Sequence, residues 1–118
     1  MTPEAQRIAI AEACGWTKCH ATGGFPCGIH PVSPNNSDGF QIPLPDYLND
    51  LNAMHEAEKV LKWTDDDTED ERERYWVLLV SICDPKDESG ANSRWLCAHA
   101  TAAQRAEAFL RTLNLWTT

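Results

Sequence analysis

The sequence lacks an apolar run long enough to cross a membrane, an excess of basic side chains and any internal repeat. A membrane-spanning helix needs about 20 mostly apolar residues, so we expect none here. Ten basic side chains stand against 18 acidic ones, a net charge of −8 with the histidines neutral. Nucleic-acid and anionic-membrane binders depend on positive surfaces, so this charge argues against both partners.

A signal peptide and a disulfide framework are also absent from the pattern. Met1 is followed by Thr2, Pro3 and Glu4 rather than by basic and apolar regions, which predicts a cytoplasmic location. The five cysteines, at 14, 19, 27, 83 and 97, are an odd number in a chain of 118 residues, which is long enough for one stable domain. We therefore expect free thiols.

Capping residues predict three helices. Thr2 as N-cap, followed by Pro3 and ended by Gly15, predicts a helix over 3–14. Thr101 with Gln104 three positions later forms a capping box, which predicts a helix over 102–113. The third helix is expected over 47–62, with Asp46 as N-cap. Its core-facing side chains are expected to be Leu48, Leu51, Met54 and Leu61.

The remaining patterns predict strands. Residues 16–22 and 25–30 form a hairpin if Gly23-Gly24 is its two-residue turn, and Pro26 makes the second arm an edge strand. Residues 31–45 carry four prolines and are expected to be an irregular loop.

A nearly unbroken apolar run covers 75–83 and predicts a strand buried on both faces. Residues 94–99 are expected to be its antiparallel partner, with Trp76 and Trp95 in the core. The fold class is thus α+β, one domain over 1–118, with an antiparallel sheet covered by helices on both faces.

Three stretches are similar to the phage ABA-sandwich family of small tailed-phage proteins. They are the Pro-Asp-Tyr-Leu-Asn-Asp-Leu-Asn-Ala-Met-His-Glu-Ala-Glu segment at 45–58, the Ala-Thr-Ala-Ala-Gln-Arg-Ala segment at 100–106 and Leu-Trp at 115–116. The likeness also takes in the helix that ends at Gly15-Trp16 and the strand expected over 75–83. The resemblance implies a sheet between helices, a phage origin and hence the host cytoplasm. It carries no activity or binding residues.

Most of the excess negative charge lies in a loop expected over 64–74, where seven acids and two arginines give a local net charge of −5. Such a run is usually a solvated linker. The alternative is a contact surface for a basic host or defence protein, guided by complementary charge. The candidate partner-binding residues are Asp65, Asp66, Asp67, Glu69, Asp70, Glu71 and Glu73.

A second candidate site lies on the helix over 47–62. His55 and Glu56 lie near Asn52 and Lys59 at helical spacing, which indicates either a polar binding site or a solvated helix face. Trp16 lies at the end of an element, where an aromatic ring can stack on a ligand base. The candidate ligand-binding residues are Trp16, Tyr47, Asn52, His55 and Glu56.

Cysteines and histidines between 14 and 30 suggest zinc, because Cys27 and His30 have ligand-like spacing. The hairpin register opposes this reading, since it places His20 and Cys27 on one face and Cys19 and His30 on the other. A different register, or Cys14 joining from the helix end, would bring three ligands together. We expect no metal and no other cofactor.

No activated nucleophile, paired carboxylates or phosphate-binding glycine loop is recognisable. We therefore expect a binding protein rather than an enzyme. It would engage a host or defence component through the acidic residues, or alternatively bind or sequester a nucleotide-like small molecule.

Overall fold

The computed structural model describes residues 1–22, 25–31, 41–62, 71–84 and 93–117. These residues form five helices and a three-stranded antiparallel sheet, which confirms the α+β class. The helices are α1 (Pro3–Ala13), α2 (Leu51–Glu58), α3 (Glu71–Cys83), α4 (Ser93–Ala98) and α5 (Ala102–Thr112), and the strands are β1 (Thr17–Thr22), β2 (Phe25–Ile29) and β3 (Ile42–Pro43). The sandwich arrangement stays a prediction.

The predicted hairpin is confirmed in its register. Thr22 lies opposite Phe25 and His20 lies opposite Cys27, while the pairing shifts between Thr17 and His20. The expected turn at Gly23-Gly24 lies outside the described residues.

The prediction that Pro26 lies on an edge strand is wrong, because β2 pairs with β1 on one side and β3 on the other. The Pro26 carbonyl accepts the N–H of Leu44 at 2.9 Å. Proline has no N–H to donate in return, and Arg7 Nη2 donates to the Leu44 carbonyl instead, at 2.6 Å. The Ile42–Pro43 strand also corrects part of the loop expected over 31–45, most of which lies outside the described residues.

Two helices begin as their caps predict. Thr2 Oγ1 accepts a hydrogen bond from the Ala5 N–H at 3.1 Å, and Gly15 takes the positive φ of 98° that ends α1. Thr101 and Gln104 exchange both bonds of the capping box at the start of α5. Each cap joins groups within one helical turn, so it forms without help from tertiary packing.

Helix α2 begins later than predicted, and its N-cap is Asp50 rather than Asp46. Asp50 accepts from the N–H groups of the first turn, whereas the Asp46 side chain accepts from the amide of Asn49. The late start leaves Leu51 exposed instead of in the core. Met54 and Leu61 are buried as expected.

The strands predicted over 75–83 and 94–99 are wrong, because both segments are helical. A continuous apolar run does not distinguish a buried strand from a buried helix. Here the charged residues Glu71–Arg74 supply the first turn, so the run becomes the later part of a 13-residue helix. Trp76 and Trp95, expected in the core, are 47% and 68% exposed.

The core forms where α3 packs against α5 and where α1 packs against α5 and the first two strands. Its fully buried side chains include Ile10, Met54, Leu79, Phe109 and Leu110. Helix α2 also packs on α5, which places α2 and α3 beside each other. Within the described ranges, no helix is long and apolar enough to cross a membrane.

Candidate functional site

A groove of about 410 Å³ lies between α2 and α3. Each helix contributes three side chains at positions i, i+3 and i+4, the spacing that places residues on one helix face. The lining residues are His55 and Glu58 from α2 with its C-cap Lys59, Arg72, Tyr75 and Trp76 from α3, and Leu61 between the two helices.

Glu58 is held in place from two sides. Arg105 Nη1 lies 3.3 Å from Glu58 Oε1, and His55 Nδ1 lies 3.8 Å from the same oxygen. Arg105 also donates to the Cys97 carbonyl at 2.9 Å, which connects this wall of the groove to the end of α4. The carboxylate is mostly buried and pre-positioned, a feature of sites that orient a ligand.

Among the described residues, the lining carries two cations, Arg72 and Lys59, and the carboxylate of Glu58. Arg72 Nε donates to the Leu61 carbonyl at 3.1 Å, and Lys59 Nζ lies 2.8 Å from Glu56 Oε1. Both cations therefore already have partners within the protein.

The Tyr75 hydroxyl is the most unusual group in the groove. Tyr75 is only 7% exposed, and its buried hydroxyl lies beside Glu58 and Arg105, although no hydrogen bond of standard geometry joins it to another described residue. Burial raises the pKa of Tyr75, as does the nearby Glu58 carboxylate, whereas Arg105 lowers it in part. The phenol is therefore neutral at physiological pH.

Trp76 lines the same groove with a half-exposed indole. Aromatic rings at sites of this kind stack on planar ligands. The groove thus combines a stacking surface, a buried donor, a fixed carboxylate and two cations. This set supports binding, and it contains no paired nucleophile and base.

Of the five residues predicted to bind a ligand, only His55 lines the groove. Asn52 is exposed, and its backbone N–H donates to Asp50 Oδ1 at 2.9 Å. Glu56 is exposed and paired with Lys59. A binding role for His55 stays a prediction.

Trp16 and Tyr47 belong to the core instead. Trp16 is 7% exposed and packs edge-on against His30, with ring centroids 4.9 Å apart. Tyr47 is buried and hydrogen-bonds with Cys14. Burial raises the pKa of Cys14 to about 11, although the Tyr47 hydrogen bond lowers it in part.

The predicted partner-binding residues are largely outside the described residues, namely Asp65, Asp66, Asp67, Glu69 and Asp70. Glu71 and Glu73 lie in the first turn of α3, so the loop expected over 64–74 is helical from residue 71. Glu71 Oε1 accepts the N–H of Lys62 at 2.8 Å.

All five cysteines are free. His20 pairs with Cys27 in the hairpin as the register predicted, and Cys19 Sγ lies 3.0 Å from where a Cβ on Gly28 would be. Among the described residues, no group of three or more His, Cys, Asp or Glu side chains is arranged for a metal ion.

Comparisons with protein-family models, with curated proteins and with solved structures give no match. The resemblance to the phage ABA-sandwich family stays a prediction. The groove is interpreted from its own geometry.

Sequence reasoning missed Arg72, Glu58, Tyr75 and Trp76 as one site. The signal was present, because 72, 75 and 76 repeat the spacing of 55, 58 and 59. It was hidden by the strand prediction, which places neighbouring side chains of 75–83 on opposite faces.

Proposed function

We propose that this protein binds or sequesters a small, planar, nucleotide-like molecule in the α2–α3 groove, without catalysing a reaction. The observation that carries the proposal is the groove itself, which is lined by the half-exposed indole of Trp76 and by the largely buried side chains of Tyr75 and Glu58. A planar ligand would stack on this indole.

The size and polarity of the groove support the proposal. Small-molecule sites commonly measure about 300–1,000 Å³ and combine apolar walls with a few fixed polar groups. The groove falls in the lower part of this range, and its least exposed polar groups are the buried Tyr75 and the partly buried Glu58.

The test is a binding screen with a panel of nucleosides, nucleotides and planar vitamins, read by thermal shift and tryptophan fluorescence. We expect at least one ligand to raise the melting temperature of the wild type and to lose most of its affinity for Trp76→Ala. Trp95→Ala is the matched control, because Trp95 is exposed outside the groove lining and should not affect binding. No binding across the panel, or equal losses in both variants, would contradict the proposal.

A second candidate function is engagement of a basic host or defence protein through the acidic residues over 65–73. The net charge of −8 and its concentration in this stretch support it. Replacing Asp65, Asp66, Asp67, Glu69 and Asp70 by Asn or Gln should leave the melting temperature unchanged or slightly raised, since like charges repel. Glu71 and Glu73 are kept, because they lie in the first turn of α3 and Glu71 accepts the N–H of Lys62. The same variant should associate more slowly with the partner, and wild-type binding should weaken with salt. Partner binding that ignores both changes would remove this candidate.

A phage origin, a location in the host cytoplasm and a helix-covered sheet belong to the same proposal. They rest on the resemblance of 45–58 and 100–106 to the phage ABA-sandwich family. Either binding function suits such an accessory protein.

A further inference from the structure

We propose that Cys83 and Cys97 form a reversible oxidation site, in which a low-molecular-weight disulfide such as oxidised glutathione converts the two thiols into an intramolecular disulfide that ties α3 to α4. This site goes beyond the proposed ligand binding and does not depend on the groove. Three observations carry it, namely the position of the two thiols, their unequal exposure and the cation beside them.

The two thiols lie side by side where α3 packs against α4. Cys83 is the last residue of α3, and Cys97 lies in the last turn of α4. Both side chains pack in the same apolar core, and each is close enough to affect the titration of the other. A disulfide needs neighbouring backbone segments with side chains that approach each other, which this junction provides.

The two thiols differ in their exposure to solvent. Cys97 is 1% exposed, whereas Cys83 is half-buried. A dissolved oxidant can therefore reach the sulfur of Cys83, while Cys97 is shielded from it. This difference sets the order of reaction, with Cys83 attacking the oxidant and Cys97 closing the protein disulfide.

The Arg105 guanidinium is fixed beside both thiols. Its Nη2 donates to the Cys97 carbonyl at 2.9 Å, and its Nε donates to the Ala100 carbonyl at 3.4 Å. Burial raises the pKa of Cys83 and of Cys97, and the Arg105 cation lowers both in part. The pair therefore stays protonated and reduced until an oxidant is supplied, and the cation stabilises the thiolate through which exchange proceeds.

The exchange takes place in two steps. The Cys83 thiolate attacks one sulfur of oxidised glutathione, so a mixed disulfide forms, the glutathione S–S bond breaks and one glutathione leaves with the proton that Cys83 lost. The Cys97 thiolate then attacks the Cys83 sulfur and releases the second glutathione with the second proton. The protein loses two electrons and two protons, and one oxidised glutathione becomes two thiols.

The experiment treats the folded protein with oxidised glutathione, blocks the remaining thiols and identifies the products by mass spectrometry after digestion with trypsin. The cleavage sites in the sequence place Cys83 in peptide 75–86 and Cys97 in peptide 95–105, whereas the other cysteines lie in peptides 8–18 and 19–59. We expect peptides 75–86 and 95–105, joined with the loss of two hydrogen atoms, as the main cross-linked product. Dithiothreitol should separate them again.

Two serine variants test the order of the steps. Cys97→Ser removes the second nucleophile, so glutathione should remain attached to peptide 75–86. Cys83→Ser leaves the buried thiol alone, so peptide 95–105 should stay unmodified. Cys27→Ser is the matched control, because Cys27 lies in strand β2 and its loss should leave the linked pair unchanged. Melting curves identify any variant that unfolds, and the peptide map of the wild type needs no substitution.

Glutathione adducts without the linked pair would overturn the inference, as would a main cross-link that uses Cys14, Cys19 or Cys27. Modification of Cys97 in Cys83→Ser as fast as that of Cys83 in Cys97→Ser would contradict the order of attack. The same reaction in urea gives the baseline. A linked pair that forms as readily there as in the folded protein would mean that the fold does not bring the two thiols together.

Discussion

Helices α5 and α3 pack against each other, yet they use their apolar residues differently. Helix α5 buries its apolar stripe almost completely, with Ala106, Phe109 and Leu110 at zero exposure. Helix α3 has the richer apolar sequence, but only Tyr75 and Leu79 are buried along it. The amount of apolar sequence in a helix therefore does not predict how much of it is buried.

The difference follows from what lies around each helix. Helix α5 contacts α1, α2 and α3, so several of its faces are covered. Helix α3 packs on α5 and α4 and presents Trp76 to the groove. Helix α3 therefore keeps one aromatic face half-exposed, whereas α5 is a core element.

The largest expected effect lies in α5. Phe109→Ala should lower the free energy of unfolding by about 3–5 kcal/mol, because it leaves a cavity in the fully packed core. Chemical denaturation measures the change. Val77→Ala on α3 is the control, since Val77 is 57% exposed and should change stability by about 0.5 kcal/mol or less. Similar losses in the two variants would break the comparison.

The next effect tests whether α3 contributes any core. Leu79→Ala should cost about 2–4 kcal/mol, because Leu79 is fully buried on the side of α3 that joins the core. Thermal and urea unfolding should agree on this value. A loss below about 1 kcal/mol would mean that α3 lies loosely on α5.

A smaller effect is expected at the start of α5. Thr101→Ala removes the side-chain acceptor for the Gln104 N–H at 3.1 Å and should cost about 1 kcal/mol. Thr101→Ser keeps the hydroxyl and should retain most of the stability. Equal stability of the Ala variant and the wild type would show that the capping box is dispensable.

The smallest effect distinguishes a helix from a strand over 75–83. Ser81 is exposed on α3, so Ser81→Ala should raise stability by about 0.5 kcal/mol through helix propensity. Ser81→Thr should give no gain. The reverse order, with Thr the more stable, is typical of a strand and would restore the original prediction for this segment.

Sequence reasoning succeeded where the interacting groups are close together in the chain. The caps at Thr2 and Thr101 and the hairpin register at His20 and Cys27 were predicted because the interacting groups are close in sequence. The cap of α2 was displaced by four residues because both Asp46 and Asp50 are chemically suitable, and only the path of residues 47–49 selects Asp50.

The sequence by itself determined the α+β class, the hairpin and the ends of α1 and α5, since each depends on local hydrogen bonds or helical spacing. Only the tertiary structure decided that 75–83 is a helix with one packed face, because that depends on whether other elements cover the segment. It also decided that Pro26 lies in the central strand, where Arg7 supplies the missing donor from a distant helix. The tertiary structure also decided the groove, because its buried hydroxyl and fixed carboxylate come from two different helices. No short-range pattern in the sequence predicts that these helices lie side by side.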